Sequence, residues 1–256
     1  MIYYPLSVLM LAGIREILII SAPQDLPRFQ SLFGNGHNIG LSFTYKEQPE
    51  LKGIAEAFII GEEFIAGDPV CLILGDNIFN GHSLPEMLKE ASVIQPGTVA
   101  FGYYVRDPQR YGVVEFDYQQ LVLSIQEQPK IPKSNYAVVG LYFYDGQVTE
   151  KAKSLNPSWR NEVEITDLNR FYLHEGHLTE KLMGRSCACL ETSTHDSLVD
   201  ATSYVKIIED QQDQSISCIE EIAYTIGCID EAGLRDLAKH LEESGYGHSL
   251  HHLTSE

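Results

Sequence analysis

The sequence predicts an α/β protein: a mixed, mostly parallel sheet with helices on both faces. Three observations predict it. Residues 70–74 (V-C-L-I-L) are apolar without alternation, as in strands buried on both sides. Upstream, strand-like and helix-like stretches alternate, the pattern of right-handed crossovers. Downstream, strand-like stretches follow one another over short connections, which implies antiparallel additions.

Each element has its own signal. Ile2, Leu6, Leu9 and Met10 share one helical face, and Gly13 supplies the stop. Residues 16–21 (E-I-L-I-I-S) are rich in β-branched side chains and read as a strand. A helix over 24–33 ends in the G-N-G turn at Gly34 to Gly36. A short strand over 42–46 and a helix over 54–64 lead to the apolar run. Strands then fall at 98–105, 112–116, 121–127 and 137–144. A helix over 166–175 turns Leu168, Phe171 and Tyr172 inward and ends at Gly176. Strands at 179–183 and 188–191 precede a helix over 197–210 with Ala201, Tyr204, Val205 and Ile208 on one stripe. Asp230 caps a last helix carrying Leu234, Leu237, Ala238 and Leu241, closed by Gly245. One domain over 1–245 and a polar, loose tail over 246–256 follow.

Composition narrows the partners. Lys plus Arg number 18 against 36 Asp plus Glu in 256 residues, a formal net charge of -18. That balance excludes a nucleic-acid or anionic-membrane surface, because phosphate backbones select basic patches. A small phosphorylated substrate stays open, since a metal ion can bring the positive charge. Five cysteines, an odd number without zinc-type spacing, point to a reducing, cytoplasmic compartment. Cys187 and Cys189 share one strand face and read as small buried hydrophobes. Residues 1–12 are apolar but interrupted by Pro5 and lack a basic start, so they read as a core helix, not a signal peptide. No run is long enough to span a bilayer.

Asp76 and Asn77 arrive together after Gly75, where the strand over 70–74 ends. Ligands sit at the carboxyl ends of strands in such sheets. An aspartate there suits a hard divalent cation and, through it, phosphate oxygens. A turn cap is the other reading of Asp76, and the residues alone leave both open. Neither G-x-G-x-x-G nor G-x-x-x-x-G-K-[ST] occurs at a strand-to-helix junction, and the chain opens on a helix.

Several longer motifs then recur in order: M-I-Y-Y-P-L-S at 1–7, L-G-D-N-I-F at 74–79, D-P-Q-R-Y-G-V-V-E-F at 107–116, K-S-N-Y-A-V-V-G-L-Y-F-Y-D at 133–145 and E-I-T-D-L-N at 164–169. Together they make the chain resemble the glucose-1-phosphate thymidylyltransferases, of the sugar-phosphate nucleotidyltransferase superfamily, nearly from end to end. The resemblance implies a Rossmann-like nucleotidyltransferase sheet and transfer of a nucleotidyl group from dTTP to α-D-glucose 1-phosphate, giving dTDP-glucose and pyrophosphate. It implies Mg²⁺ held by Asp76 and Glu191, and a nucleotide site at Gln48, Gly53 and Asp76. Gln48 would read the pyrimidine edge as donor and acceptor, and Gly53 would let the backbone approach the nucleotide. It also implies a sugar site at Tyr111, Gly112, Glu127, Val138 and Glu162, and a homotetramer. From the residues alone, Tyr111 and Gly112 equally make a hairpin turn, Val138 a core position, and Glu162 a solvated carboxylate.

The departures from the family pattern matter as well. Its opening strand and G-G-x-G-T-R loop, on the order of thirty residues or one strand-loop-helix unit, are expected before Met1 and are lacking. That absence is expected to leave unpaired apolar edges on the strands over 16–21 and 70–74. Gln128 stands where the family has a lysine that pairs with the sugar phosphate. Glu191 stands for an aspartate, Cys189 for a tryptophan, and Lys52 for an acidic residue. These changes predict impaired transfer in this chain and keep an alternative in view: a non-catalytic relative, whether pseudoenzyme, assembly partner or gene remnant. A metal-dependent glycosyltransferase fits poorly, because Asp76 is followed by Asn77 and Ile78 and no D-x-D arrangement results.

Overall fold

The computed structural model describes residues 1–93, 96–212, 215–239, 241, 246–247, 250 and 253. Its first element, α1 (Tyr3–Leu11), is buried from Pro5 to Met10. The expected stripe is apolar all round, as a helix wedged between two packed layers requires. Leu6, Leu9 and Met10 join one cluster, and Val8 joins another.

Next come β1 (Glu16–Ser21), α2 (Leu26–Phe33) and β2 (Ser42–Glu47), with β1 and β2 parallel. The single helix expected over 54–64 is two, α3 (Glu56–Ile60) and α4 (Glu62–Ile65), broken at Gly61. A Cβ there would lie 2.9 Å from the Ala57 carbonyl oxygen and 3.1 Å from Leu18, so the break lets the helix pass close to β1. After β3 (Val70–Ile73) the chain forms β4 (Asn77–Gly81) and α5 (Leu84–Ser92), both absent from the sequence reading. Pro85 in the first turn of α5 is the start signal that was passed over.

The strands β5 (Thr98–Tyr104), β6 (Gly112–Phe116), β7 (Val122–Glu127) and β8 (Tyr136–Tyr144) fall where expected, to within a residue. The rest of the chain forms α6 (Val148–Ser154), α7 (Ile165–His174), β9 (Leu178–Leu182), β10 (Cys187–Glu191), α8 (His195–Gln212), α9 (Ile219–Thr225) and α10 (Glu231–Lys239). Neither α6 nor α9 was anticipated. The expected stop at Gly245 lies outside the described residues. Within 246–256, Leu250 is fully buried beside Cys218, Leu234 and Ala238.

The main sheet has six strands in the order β7-β6-β8-β5-β9, with β3 also on β8. The sheet is mixed as expected, but among the described residues parallel pairing is confined to β1 with β2 and β5 with β9. β3 does not continue the β1–β2 ladder; it runs antiparallel to β8, with Val70 opposite Tyr144. A buried apolar run specifies burial, not direction, so the antiparallel seating of β3 could not be read from residues 70–74. Among the described residues no strand lies between β1 and β3. An apolar groove of 430 Å³ runs there, lined by Ile17, Leu18, Ile20, Val70 and Leu72.

β8 explains the unbroken apolar stretch A-V-V-G-L-Y-F-Y. Val138, Tyr142 and Tyr144 pack on one face with α6 and α7, while Val139, Leu141 and Phe143 pack on the other with α1 and α5. A strand covered on both faces is held rigidly, and its middle, from Val138 to Tyr142, forms part of the site. No helix among the described residues is long and apolar enough to cross a membrane. All five cysteines are free thiols.

Candidate active site

A cavity of 480 Å³ opens at the ends of β3, β6, β7 and β10, over the middle of β8 and at the start of α7. All nine residues singled out from the sequence line it: Asp76 and Glu191, then Gln48 and Gly53, then Tyr111, Gly112, Glu127, Val138 and Glu162. Positions more than a hundred residues apart in the chain thus share one wall.

The ladder between β4 and β10 sets Glu191 opposite Asn77, which places Asp76 beside it. Thr192 secures the junction: its backbone N–H and its hydroxyl both donate to the Asp76 carbonyl at 3.0 Å. Asn77, buried, donates through Nδ2 to Asp76 Oδ1 at 2.7 Å, leaving the other carboxylate oxygen of Asp76 unclaimed by that amide. Glu191 Oε1 accepts from Arg110 Nη2 at 2.7 Å. The Tyr111 hydroxyl is pushed up to about 12, first by burial and then by its hydrogen bond to Glu191. Cys189, where the family has a tryptophan, sits in this wall with its thiol driven far up by burial.

Two neighbouring hard carboxylates fit a Mg²⁺ ion that keeps most of its waters or takes phosphate oxygens. They do not form an all-protein cage: among the described residues no three His, Cys, Asp or Glu side chains are placed to hold a metal.

Gln48 lies just beyond β2, and its Nε2 donates to Glu56 Oε2 at 2.7 Å and to the Gly53 carbonyl at 3.5 Å, so its amide protons are engaged within the protein and its amide oxygen is left for a ligand. Gly53 adopts φ +97°, and a Cβ there would run into the Val163 backbone. The glycine is therefore demanded by the protein's own packing, a requirement the sequence reading had attributed to a ligand. Gly112 is similar: a Cβ would lie 3.0 Å from Thr166 Oγ1 and 3.6 Å from Glu127 Oε2.

At the opposite end, three carboxylates, Glu127 from the end of β7 and Glu162 and Glu164 from the loop before α7, converge on Arg160. Its guanidinium donates to both oxygens of Glu164 at 2.8–3.0 Å and reaches Glu162 at 3.5 Å and Glu127 at 3.6 Å. Glu127 also accepts from the Thr166 hydroxyl, and Glu164 from Ser158 Oγ at 2.7 Å. Gathering three anions raises the Arg160 pKa, chiefly through its hydrogen bonds to Glu164. Val138 closes the floor from β8. Gln128, at φ +41°, donates its backbone N–H to the Tyr111 carbonyl at 3.0 Å and lines the cavity without charge.

Sequence reasoning missed Arg110, Arg160, Glu164 and Thr166. Arg110, Glu164 and Thr166 stood inside quoted motifs without a role. Arg160 had a weaker signal: a lone cation in the polar turn between Pro157 and Glu162. It also missed Glu180 on β9, whose carboxylate oxygens are buried without a hydrogen-bond partner, although the residue's remaining atoms reach solvent. Burial alone pushes that carboxyl up to about 8.

A family model described as nucleotidyl transferase matches residues 1–207. A glucose-1-phosphate thymidylyltransferase of Neisseria gonorrhoeae is 52% identical over 253 residues, covering 99% of this chain and 88% of that protein. The chain belongs to the glucose-1-phosphate thymidylyltransferase family. A second member, from Mycobacterium tuberculosis, is 46% identical over 250 residues, 98% of this chain and 86% of its own. Among solved structures, a UDP-glucose pyrophosphorylase complexed with UDP-glucose superposes with a TM-score of 0.70 over 80% of this chain and 86% of its own. At 21% identity that likeness shows the fold alone. In this thymidylyltransferase family member, then, the α/β nucleotidyltransferase fold read from the sequence is present, with its curled sheet mixed in direction.

Proposed function

We propose that this chain transfers the nucleotidyl group of dTTP to α-D-glucose 1-phosphate, giving dTDP-glucose and pyrophosphate. The observation that carries the reading is the convergence of all nine family-matched positions on one cavity. A phosphate oxygen of the sugar ester bonds to the α-phosphorus of dTTP. The bond from that phosphorus to the bridging oxygen breaks, and the electron pair leaves with pyrophosphate. In-line displacement of this kind is governed by positioning and charge.

Within this reading Gln48 presents its amide oxygen to the base, while its Nε2 is held by Glu56 and the Gly53 carbonyl. Glu127 and Glu162 accept hydroxyl protons of the hexose, held in place by Arg160 and Thr166. Gly112 and Val138 leave room for the ring. Asp76 and Glu191 would hold Mg²⁺, which supplies positive charge to the phosphates when bound. That supply is needed, because five carboxylates and only two guanidiniums line the cavity among the described residues. The unpaired thiols suit a cytoplasmic enzyme. The homotetramer is part of the same proposal, and light scattering measures it.

A second reading, a relative that binds without turning over, is favoured by neutral Gln128 and by that negative excess. One experiment separates the two. The full chain is given dTTP, glucose 1-phosphate and Mg²⁺, with pyrophosphate release followed and dTTP and dTDP-glucose binding measured by calorimetry. Turnover with dTDP-glucose as product is the expected result. Binding without release supports the second reading, and absence of both overturns the site. UTP in parallel reports the base preference.

A further inference from the structure

Arg110 joins Tyr111 and Glu191 in a cluster, and it alone of the three has no role in the reading above. Arg110 ends the short turn Pro108–Arg110 before β6, while Glu191 ends β10. The two meet only through their side chains, at 2.7 Å. The guanidinium lies 5.7 Å from the centre of the Tyr111 ring and is 49% exposed; the carboxylate is 23% exposed.

We propose that Arg110 is a positioning residue that exchanges one anion for another. It pairs with Glu191 in the ligand-free cavity. Once Glu191 is engaged by a divalent cation, it turns to the phosphate oxygens of the bound substrate. The proposal rests on the metal reading of Asp76 and Glu191 given above.

Three features support the exchange. One carboxylate cannot hold a guanidinium and a divalent cation at contact distance without strong repulsion between them. The ion pair is half open to solvent, and such pairs are weak enough to be given up. The released group is well suited to its second partner, because a guanidinium fork matches phosphate oxygens with two parallel hydrogen bonds.

The other guanidinium of the cavity is in a different position. Arg160 is bound to both oxygens of Glu164 and stands near two more carboxylates, so releasing it would strand several anions at once. Gln128, attached to the Tyr111 carbonyl next to Arg110, brings no charge of its own. Among the described residues lining this side of the cavity, Arg110 carries the positive charge.

The test uses the full chain with Mn²⁺ as a paramagnetic probe and, separately, inorganic pyrophosphate in a chelator-treated buffer. Arg110→Gln is expected to tighten Mn²⁺ binding about three- to tenfold without any nucleotide, the scale of one exposed ion pair plus one nearby like charge. Arg110→Lys is expected to fall between it and the wild type. Glu191→Gln, which frees the guanidinium, is expected to tighten pyrophosphate binding a few-fold, and adding Arg110→Gln is expected to abolish that gain. Thermal melts matching the wild type exclude misfolding as the cause. Equal Mn²⁺ affinity in wild type and Arg110→Gln, or pyrophosphate binding indifferent to Glu191→Gln, overturns the proposal. A different pattern breaks the metal reading beneath it, and the exchange with it: no Mn²⁺ binding by wild type or Arg110→Gln, or Asp76→Asn binding as tightly as wild type.

Discussion

The two ends of the cavity are built by opposite means. Around Arg160, three carboxylates, a threonine and a serine are tied into one network, with Glu164 almost fully enclosed. Around Asp76 and Glu191, a single half-exposed guanidinium and one tyrosine hydroxyl are the side-chain partners of Glu191. A dense network fixes side chains before a ligand arrives, so no ordering cost is left for binding. A sparse one leaves its carboxylates ready to change partners. The braced end suits a neutral polyol that must be recognised by shape, and the light end suits ions that enter and leave in each cycle.

The sharpest way to break this contrast is at the light end. Asp76→Asn is expected to lower pyrophosphate release by about 10²–10³-fold, the scale of removing a principal electrostatic stabiliser. Its melt should stay near that of the wild type, which a coupled phosphate assay alongside circular dichroism checks. The braced end should behave the other way. Arg160→Met leaves three carboxylates facing one another and is expected to cost about 2–3 kcal/mol of stability, since breaking an enclosed ion pair strands the remaining charges. Arg110→Gln should cost under about 1 kcal/mol. Chemical denaturation of the two variants under the same conditions makes the comparison, and equal losses would erase the distinction.

A subtler probe lies near the floor of the braced end, where burial first, and then Glu180 and Glu127, disfavour ionisation of Tyr142, and burial likewise raises Glu180. Its folded value, about 8, lies above the ordinary 4.5. The folded state therefore holds the proton more tightly than the unfolded chain. The stability this contributes is complete below about pH 4.5 and is lost as pH rises to about 8. Glu180→Gln is expected to flatten that decline, by on the order of 1–2 kcal/mol at pH 8, measured as melting temperature across the window. The smallest change returns to Gln128. Placing a charge there with Gln128→Lys should tighten glucose 1-phosphate binding about three- to tenfold, because charge-assisted hydrogen bonds are roughly twice as strong as neutral ones; calorimetry reads it.

What the sequence disclosed and what it hid divide along a physical line. β1 was read to the residue, and β8 and β5 nearly so, because burial on a sheet stamps β-branched and aromatic runs into the chain. β4 escaped because N-I-F-N-G is short and polar at its ends, and its strand character comes from the β10 ladder, not from local preference. The antiparallel seating of β3 on β8 escaped for the same reason: partner choice is tertiary. In the cavity four of the five carboxylates, all but Glu164, were legible through the family resemblance. Their cations were not, since Arg110 and Glu191 are 81 positions apart and only folding selects that pairing.

One last feature bears on handling rather than chemistry. Where β1 and β3 flank the apolar groove, each presents a ladder of backbone donors and acceptors to a gap with no intervening strand among the described residues. Such a seam is adhesive towards any extended polypeptide that comes near. How long a molecule stays solitary is then set by how crowded its surroundings are, and dilution becomes as much a stabiliser as temperature.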